Sequence, residues 1–329
     1  MSIFEGLRNE SLINKAYNLI QQGKYQEAIG YYDKILEANS YYVKALYGKG
    51  LVFQRLEMYN DSLEFYDRVL ELDSGYFNAW YGRGMVLGEL GRYQDALDSY
   101  DKALELDLEN VDVWYGKGLI FQRWGLFGDA LEFFDRVLEL DSGYFNAWYG
   151  RGMVLGELGR YQDALDSYDK ALEIDSKNVG LWNNRGSTLG MLGNYQDALN
   201  SYDKALEIDP HSAELWINKG FIQKMSEKYH ESLKSFDKAL GIDPNNVDTW
   251  FQNGCVLRDL KENCEALKSF NKALEIDPND IGALYNKATI LIDSTDKQNA
   301  LKCLNKILEI NSDFEPALKA KKDILDSES

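Results

Sequence analysis

Two histidines and three cysteines are the side chains of this sequence best suited to act as bases, nucleophiles or metal ligands. Neither His211 nor His230 has a Cys or Ser placed to complete a nucleophile–base pair. Cys255, Cys264 and Cys303 are odd in number, and gaps of nine and 39 residues separate them, which fits neither a disulfide framework nor a zinc site. We therefore expect free thiols, no metal, and a cytoplasmic protein.

Neither the acidic pairs nor the glycine-rich segment of the sequence indicates a catalytic site. Acidic pairs such as Glu105 and Asp107 recur along the whole chain, whereas a catalytic pair is normally unique, so these carboxylates indicate solvated helix faces. The glycines of GRGMVLG at 82–88 resemble a dinucleotide fingerprint, but no strand precedes them. The sequence predicts no catalytic residue, no cofactor site and no enzymatic activity.

The charge balance limits the partners that the chain can bind. It has 36 basic and 54 acidic residues, a net charge of −18, and 45% hydrophobic residues. Such a surface repels nucleic acid and anionic membranes but is compatible with a basic partner. The N-terminus, MSIFEGLRNESL, lacks the pattern of a signal peptide, and no apolar run approaches the ~20 residues that a membrane span needs. We expect a soluble protein.

A period of 34 residues organises the chain without a single insertion. We number the positions of each row as columns 1 to 34. The predicted rows are 9–42, 43–76, 77–110, 111–144, 145–178, 179–212, 213–246, 247–280 and 281–314. Residues 1–8 are too few for a further helix and are expected to be a lead-in. Residues 315–329, which are more polar than any row, are expected to form a C-terminal capping helix.

The columns place two amphipathic helices in each row. In the third row the positions that recur from row to row are Trp80 (column 4), Gly84 (column 8), Ala96 (column 20), Tyr100 (column 24) and Ala103 (column 27). Columns 4 and 8 share one helix face, and columns 20, 24 and 27 share another. Glycine at column 15 is suited to ending the first helix, and asparagine at column 34 to capping the next one.

These column residues, together with proline at column 32 (Pro210, Pro244 and Pro278), resemble the tetratricopeptide repeat. The resemblance covers residues 9–314 and implies an all-α fold, a right-handed superhelical solenoid of helix-turn-helix repeats. It further implies that first helices line a concave groove, with columns 2, 5, 6, 9, 12 and 13 facing it. The function that it implies is a non-catalytic protein–protein interaction scaffold that binds a peptide segment or partner protein in this groove.

Column 7 departs from the family pattern, in which leucine is favoured there. Column 7 is basic in eight rows and column 25 is Asp in seven, for example Arg83 and Asp67. We hypothesise a ladder of ion pairs between the two columns along the stacked helices. The alternative is two independently solvated stripes of charge.

The predicted groove carries tyrosine at column 5 and glycine at column 6 in rows two to five. Each helical glycine costs about 1 kcal/mol relative to alanine. Its repetition therefore indicates that either a ligand or a neighbouring aromatic ring needs the space. Tyrosine offers a large contact area with few rotors to freeze, which suits peptide recognition. Alternatively, the tyrosines pack sideways on adjacent first helices while the Arg and Glu side chains neutralise each other. The candidate partner-binding residues are Tyr47, Tyr81, Tyr115, Tyr149, Gln54, Arg55, Gln122, Arg123, Asn183, Asn184, Asn218, Phe251 and Tyr285.

A tandem duplication is visible inside the array. Residues 68–107 recur at 136–175 with one change, Leu106 against Ile174, so equal surfaces return every two rows. Natural duplication and engineering both explain it. It motivates a second hypothesis, a structural protein that assembles with itself. A third, weaker hypothesis is a regulatory module of a separate enzyme.

Overall fold

The computed structural model describes residues 3–326, and all regular secondary structure in that range is α-helical. The chain divides into two compact units, residues 1–174 and 175–329. Unit 1 contains α1 (Ile3–Gln21), α2 (Tyr25–Ala38), α3 (Val43–Arg55), α4 (Tyr59–Leu72), α5 (Phe77–Glu89), α6 (Tyr93–Leu106), α7 (Val111–Arg123), α8 (Phe127–Leu140), α9 (Phe145–Glu157) and α10 (Tyr161–Ile174). Unit 2 contains α11 (Val179–Met191), α12 (Tyr195–Ile208), α13 (Ala213–Met225), α14 (Tyr229–Ile242), α15 (Val247–Asp259), α16 (Asn263–Ile276), α17 (Ile281–Asp293), α18 (Lys297–Ile310) and α19 (Glu315–Asp326).

The two ends of the chain differ in how they meet expectation. The expected lead-in at 1–8 is wrong for residues 3–8, because α1 begins at Ile3 and runs without a break through Asn9. No capping residue or proline precedes Asn9 to start a helix there, so the helix continues upstream. At the other end, α19 buries Ala317 and Ile324 in one cluster with side chains of α18. Residues 327–329 of the predicted capping helix lie outside the described residues.

Left-handed residues end the first helices and side-chain caps start others, as the columns predict. The glycines at column 15, such as Gly91 with φ +73°, adopt the left-handed conformation just after each first helix. In four rows the same conformation is imposed on other residues, Glu57, Glu227, Lys261 and Thr295. At column 34, the Asn110 side chain accepts a hydrogen bond from the backbone N–H of Val113 and so caps α7.

A buried aromatic ring occupies a slot between two glycine backbones. Tyr66 of α4 is fully buried. A β-carbon added at Gly50 would lie 2.7 Å from its Cε1, and one added at Gly82 would lie 2.7 Å from its Cζ. The ring therefore touches the bare backbones of α3 and α5 together. The same slots hold Tyr100 between Gly84 and Gly116, and Phe134 between Gly118 and Gly150.

These slots explain why glycine recurs at column 6. The space beside Gly48, Gly82, Gly116 and Gly150 is taken by the column 24 ring of the preceding helix pair, not left for a ligand. In the first three rows of unit 2, glycine keeps its place at column 8, where Gly220 meets Phe236, but column 6 carries asparagine or glutamine. The double glycine slot is thus a feature of unit 1.

The predicted ladder between columns 7 and 25 is formed. Each pair joins the second helix of one hairpin to the first helix of the next. In unit 1 the bonds are Lys49–Asp33 (2.8 Å), Arg83–Asp67 (2.7 Å), Lys117–Asp101 (2.5 Å) and Arg151–Asp135 (2.6 Å). In unit 2, Lys219 pairs with Asp203 at 2.5 Å, and Lys287 donates to the amide oxygen of Asn271 at 2.7 Å. The cations are mostly covered while the carboxylates stay about half exposed.

The glycine slots should be measurable in stability. Gly82→Ala should lower the thermal midpoint, because overpacking against Tyr66 costs about 1–3 kcal/mol and outweighs the roughly 1 kcal/mol that alanine gains in helix propensity. Gly30→Ala, in open space within α2, is the matched control and should raise the midpoint. Thermal unfolding followed by circular dichroism compares the two. A midpoint of Gly82→Ala at or above the wild-type value would contradict the slot.

The ladder should stabilise the stack modestly. Replacing Asp33, Asp67, Asp101 and Asp135 with Ala should cost about 0.5–1 kcal/mol per pair, because these partly exposed ion pairs are screened by solvent. The corresponding Asn variant should cost less, since Asn271 shows that an amide oxygen accepts from the column 7 cation. Urea unfolding at low and high salt measures both. If the Ala variant unfolds at the wild-type midpoint, the two columns do not stabilise each other.

Candidate functional site

The first helices of unit 1 present one continuous set of side chains, which we name the tyrosine face. Positions separated by four, seven and eight residues lie on one side of a helix, so columns 5, 9, 12 and 13 share it. Its residues are Tyr47, Leu51, Gln54 and Arg55 of α3; Tyr81, Met85 and Glu89 of α5; Tyr115, Leu119, Gln122 and Arg123 of α7; Tyr149, Met153 and Glu157 of α9. Met85 and Met153 keep 38% and 37% of their surface exposed.

The four tyrosines of this face are half-buried and held by other rings. Tyr47 packs against Tyr66 with ring centroids 5.9 Å apart and against Tyr76 at 5.2 Å. Tyr115 repeats this packing on Phe134 at 5.7 Å and on Tyr144 at 5.3 Å. The contacts are therefore to second helices and to the turns between rows. The alternative of sideways packing between adjacent first helices finds no support in these ring pairs.

Polar side chains fasten neighbouring first helices to each other. Arg123 of α7 pairs with Glu89 of α5 at 2.8 Å, so these two residues neutralise each other as the alternative interpretation anticipated. Gln54 of α3 donates from Nε2 toward the sulfur of Met85 at 3.8 Å. The side chain of Arg55, in contrast, is exposed on the same face. The tyrosine face thus combines a fixed polar network with exposed sulfur and aromatic surface.

Second-helix tyrosines also contribute to this face, which the columns did not reveal. The Tyr66 ring passes between its two glycines, and its hydroxyl donates to Oε1 of Gln54 at 2.7 Å. The equivalent of Tyr66 beside Gln122 is Phe134, which has no hydroxyl. Gln54 is therefore oriented by a tyrosine, whereas Gln122 is not. The spacing of twelve between columns 12 and 24 was the available signal, but it connects two helices and is invisible to a single-helix periodicity.

Tyr144 adds a second polar group that sequence analysis missed. Its hydroxyl donates to Oδ1 of Asp112, at column 2 of α7, with a bond of 2.7 Å. Burial first, and this bond second, raise the pKa of Tyr144. Burial, aided by the charge of Asp112, raises the pKa of Tyr81 to about 12. The hydroxyls of Tyr81 and Tyr144 are therefore neutral at physiological pH.

The candidate binding residues of unit 2 contact neighbouring side chains at several separate places. Asn218 donates to Asn183 at 3.0 Å, and Asn183 donates to Glu214 at 3.1 Å, which forms a chain across α11 and α13. Asn184 is half-buried, and its carbonyl accepts from Thr188. Phe251 packs on Phe270 at 6.0 Å, and Tyr285 packs edge-on against Phe314 at 5.7 Å. Unit 2 offers a first-helix surface that mixes asparagines with aromatic rings, whereas column 5 of unit 1 is tyrosine in four rows.

Reactive groups do not converge within residues 3–326. No group of three or more His, Cys, Asp or Glu in the described chain is arranged to hold a metal ion. All three cysteines are free, and burial raises the pKa of the Cys255 and Cys303 thiols. Among the described helices, none has the length and apolar character that crossing a membrane requires.

Comparison with known proteins gives the family. Models described as Tetratricopeptide repeat match residues 13–77, 77–110, 111–144, 143–211, 201–234, 247–280 and 281–314. The chain belongs to the tetratricopeptide repeat family, as its columns predicted. Folds of this family typically mediate protein–protein interaction. A search of the curated proteins finds no match.

Solved structures support the same fold. The C-terminal part of a repeat-containing protein from Cytophaga hutchinsonii is 15% identical, with 73% of this chain and 98% of that chain covered and a TM-score of 0.64. A tetratricopeptide repeat protein from Parabacteroides merdae is 21% identical, with coverages of 71% and 93% and a TM-score of 0.55. YrrB, described as having an unusual peptide-binding site, is 30% identical, with coverages of 54% and 92%. Its TM-score of 0.45 is too low for its site geometry to be transferred.

The buried tyrosines should make stability depend on alkaline pH. A folded-state pKa above the unfolded value of roughly 10 favours the neutral form in the native state. Its stabilisation is therefore complete below pH ~10 and is lost as the pH rises through the folded-state pKa, which is about 12 for Tyr81. Urea unfolding across this range should show the loss, and Tyr81→Phe should make it shallower. Equal slopes for the two proteins would place the Tyr81 hydroxyl in solvent.

Proposed function

We propose that this chain is a non-catalytic scaffold that holds a segment of another protein against the tyrosine face of unit 1. The observation that carries the proposal is the state of this surface. Tyr47 and Tyr115 pack on neighbouring rings and Gln54 is held by Tyr66, while Met85 and Met153 stay exposed between them. A partner that binds there loses little side-chain entropy on the scaffold side, because most of the groups are ordered beforehand.

The chemistry of the face indicates what the segment must present. Thioether and aromatic surfaces contact apolar side chains, and methionine adapts to their shape. Gln122 offers an amide that no tyrosine orients, and Arg55 offers a cation at the edge. An extended or helical segment with apolar anchors and flanking polar groups matches this arrangement. Three free cysteines fit a reducing cytoplasm, where we place the protein.

A matched crosslinking experiment tests the proposal. A photoreactive amino acid is placed at Met85 or Met153 and, as controls, at Leu106 or Ile174. The control positions are also apolar, are 47% exposed each, and are likewise 68 residues apart, but they lie at the ends of second helices. In a lysate of the source organism, we expect a crosslinked partner from the Met positions and none from the controls.

Affinity measurements then separate a binding face from chance proximity. Met85→Ser with Met153→Ser imitates Ser187, the residue that this chain itself has at column 9 of α11. These changes should weaken binding of the purified partner segment by roughly tenfold or more, as expected for loss of apolar anchors. Crosslinks from the controls alone, or unchanged affinity of the Ser variant, would refute the proposal. A crosslinked product consisting of two copies of this chain would instead favour self-assembly.

A further inference from the structure

A second groove of unit 1 is lined by residues that do not belong to the tyrosine face. It is a cavity of about 750 Å³ between α8, α9 and α10. We name it the tryptophan groove; the residues that define it here are Asp135, Glu139, Trp148, Arg151, Asp166 and Lys170. Trp148 and the adjacent Leu138 form its apolar wall. The remaining positions are charged, and none of the tyrosine-face residues takes part.

The internal duplication reproduces this groove residue for residue. Asp67, Glu71, Trp80, Arg83, Asp98 and Lys102 stand 68 positions earlier with the same identities. The contacts of the two groove arginines also agree to within 0.1 Å. Arg83 pairs with Asp67 at 2.7 Å and Arg151 with Asp135 at 2.6 Å. Each guanidinium also donates to a serine and lies 5.9 Å from the centre of its tryptophan ring. Unit 1 therefore carries these residues twice with the same arginine contacts, although Glu139 pairs with Arg136 while Arg68 donates to the backbone of Ser40.

Internal pairing leaves negative charge at the rim. Arg151 is committed to Asp135 and Ser167, and Glu139 accepts from Arg136 at 2.9 Å. Lys170 pairs with Glu173, away from the groove. In the described part of unit 1, the exposed carboxylate of Asp166 takes part in no salt bridge. The groove thus joins an aromatic and aliphatic wall to carboxylates that retain acceptor capacity.

The repeat fold does not require this acidity. Asp98 and Asp166 occupy column 22, where α12, α14 and α16 of unit 2 carry Asn200, Lys234 and Lys268. The same scaffold therefore tolerates a neutral or basic residue at this position. Column 22 is acidic in four rows of unit 1, at Glu64, Asp98, Glu132 and Asp166, so the acidity is a property of unit 1 rather than of the helix hairpin.

We propose that the two tryptophan grooves dock a lysine- and arginine-rich segment of a partner protein. The methylene stem of a Lys or Arg lies along Trp148 and Leu138, while its charged head reaches Asp166 and Glu139. The second groove offers the same contacts two helix pairs away, so one segment with two basic clusters engages both and gains avidity. This site is separate from the tyrosine face and stands or falls independently of it.

The test uses the full chain and a fluorescein-labelled peptide of alternating lysine, arginine and serine, followed by fluorescence anisotropy. Asp98→Lys with Asp166→Lys introduces the residue that column 22 has in unit 2. Trp80→Leu with Trp148→Leu introduces the leucine found at column 4 in Leu46 and Leu284. Either pair should weaken binding by roughly tenfold or more at about 0.15 M salt, where charges further apart than about 8 Å are screened. A peptide with glutamine in place of every basic residue should not bind.

A charge-matched control separates the groove from the overall negative charge. Glu57→Lys with Glu109→Lys makes the same change in net charge outside the grooves, at columns that carry Lys261 and Lys177 elsewhere. It should leave the affinity within about twofold, since distant exposed charges are screened. Equal weakening by this control, or full affinity of the two tryptophan variants, would overturn the proposal. Sedimentation that shows a dimer lost in the groove variants would also overturn it, by assigning the grooves to a second copy.

Discussion

The contact on which unit 1 depends is an aromatic ring pressed between two glycine backbones. Because Tyr66 touches Gly50 and Gly82 at once, it fixes the approach of its own first helix and of the next one. One side chain thereby sets both the spacing inside a hairpin and the spacing between hairpins. A close-packed interior transmits such a constraint along the stack, since no softer element separates consecutive slots. The ion pairs of columns 7 and 25 act across the same helix junctions, but on the solvated side.

The packing of a large ring between glycines affects the tyrosine face as well as the interior. First helices contribute little bulk to the junction at columns 6 and 8, so their larger side chains are available at columns 5, 9, 12 and 13. The Tyr66 ring is also long enough to cross the junction and place its hydroxyl on Gln54. The interior contact that builds the solenoid therefore orders the tyrosine face as well. Stability and preorganisation arise from one interaction.

The sequence predicted the elements better than the contacts between them. Period 34, the small residues and the capping asparagines define helices α2 to α19, because each signal is local to one helix or turn. The partner of the column 6 glycines could not be chosen, since the ring that fills the slot belongs to the preceding hairpin. For the same reason, the hydrogen bond between Tyr144 and Asp112 was not predicted from the sequence. The prediction for residues 3–8 failed for a different reason. The position at which the first helix starts in the other rows was applied to α1, whose sequence lacks the start signal of those rows.

The two faces of unit 1 use the two-row duplication differently. On the tyrosine face, the copies diverge at Tyr66 and Phe134, so Gln54 is oriented and Gln122 is not. In the tryptophan groove, the copies retain every charged residue, although column 22 accepts Asn or Lys in unit 2. Identical surfaces favour repeated, multivalent contacts, whereas diverged surfaces favour a single register of one segment. Under the two proposals, the first face would hold one partner in a single register, and the paired grooves would hold a repetitive basic segment.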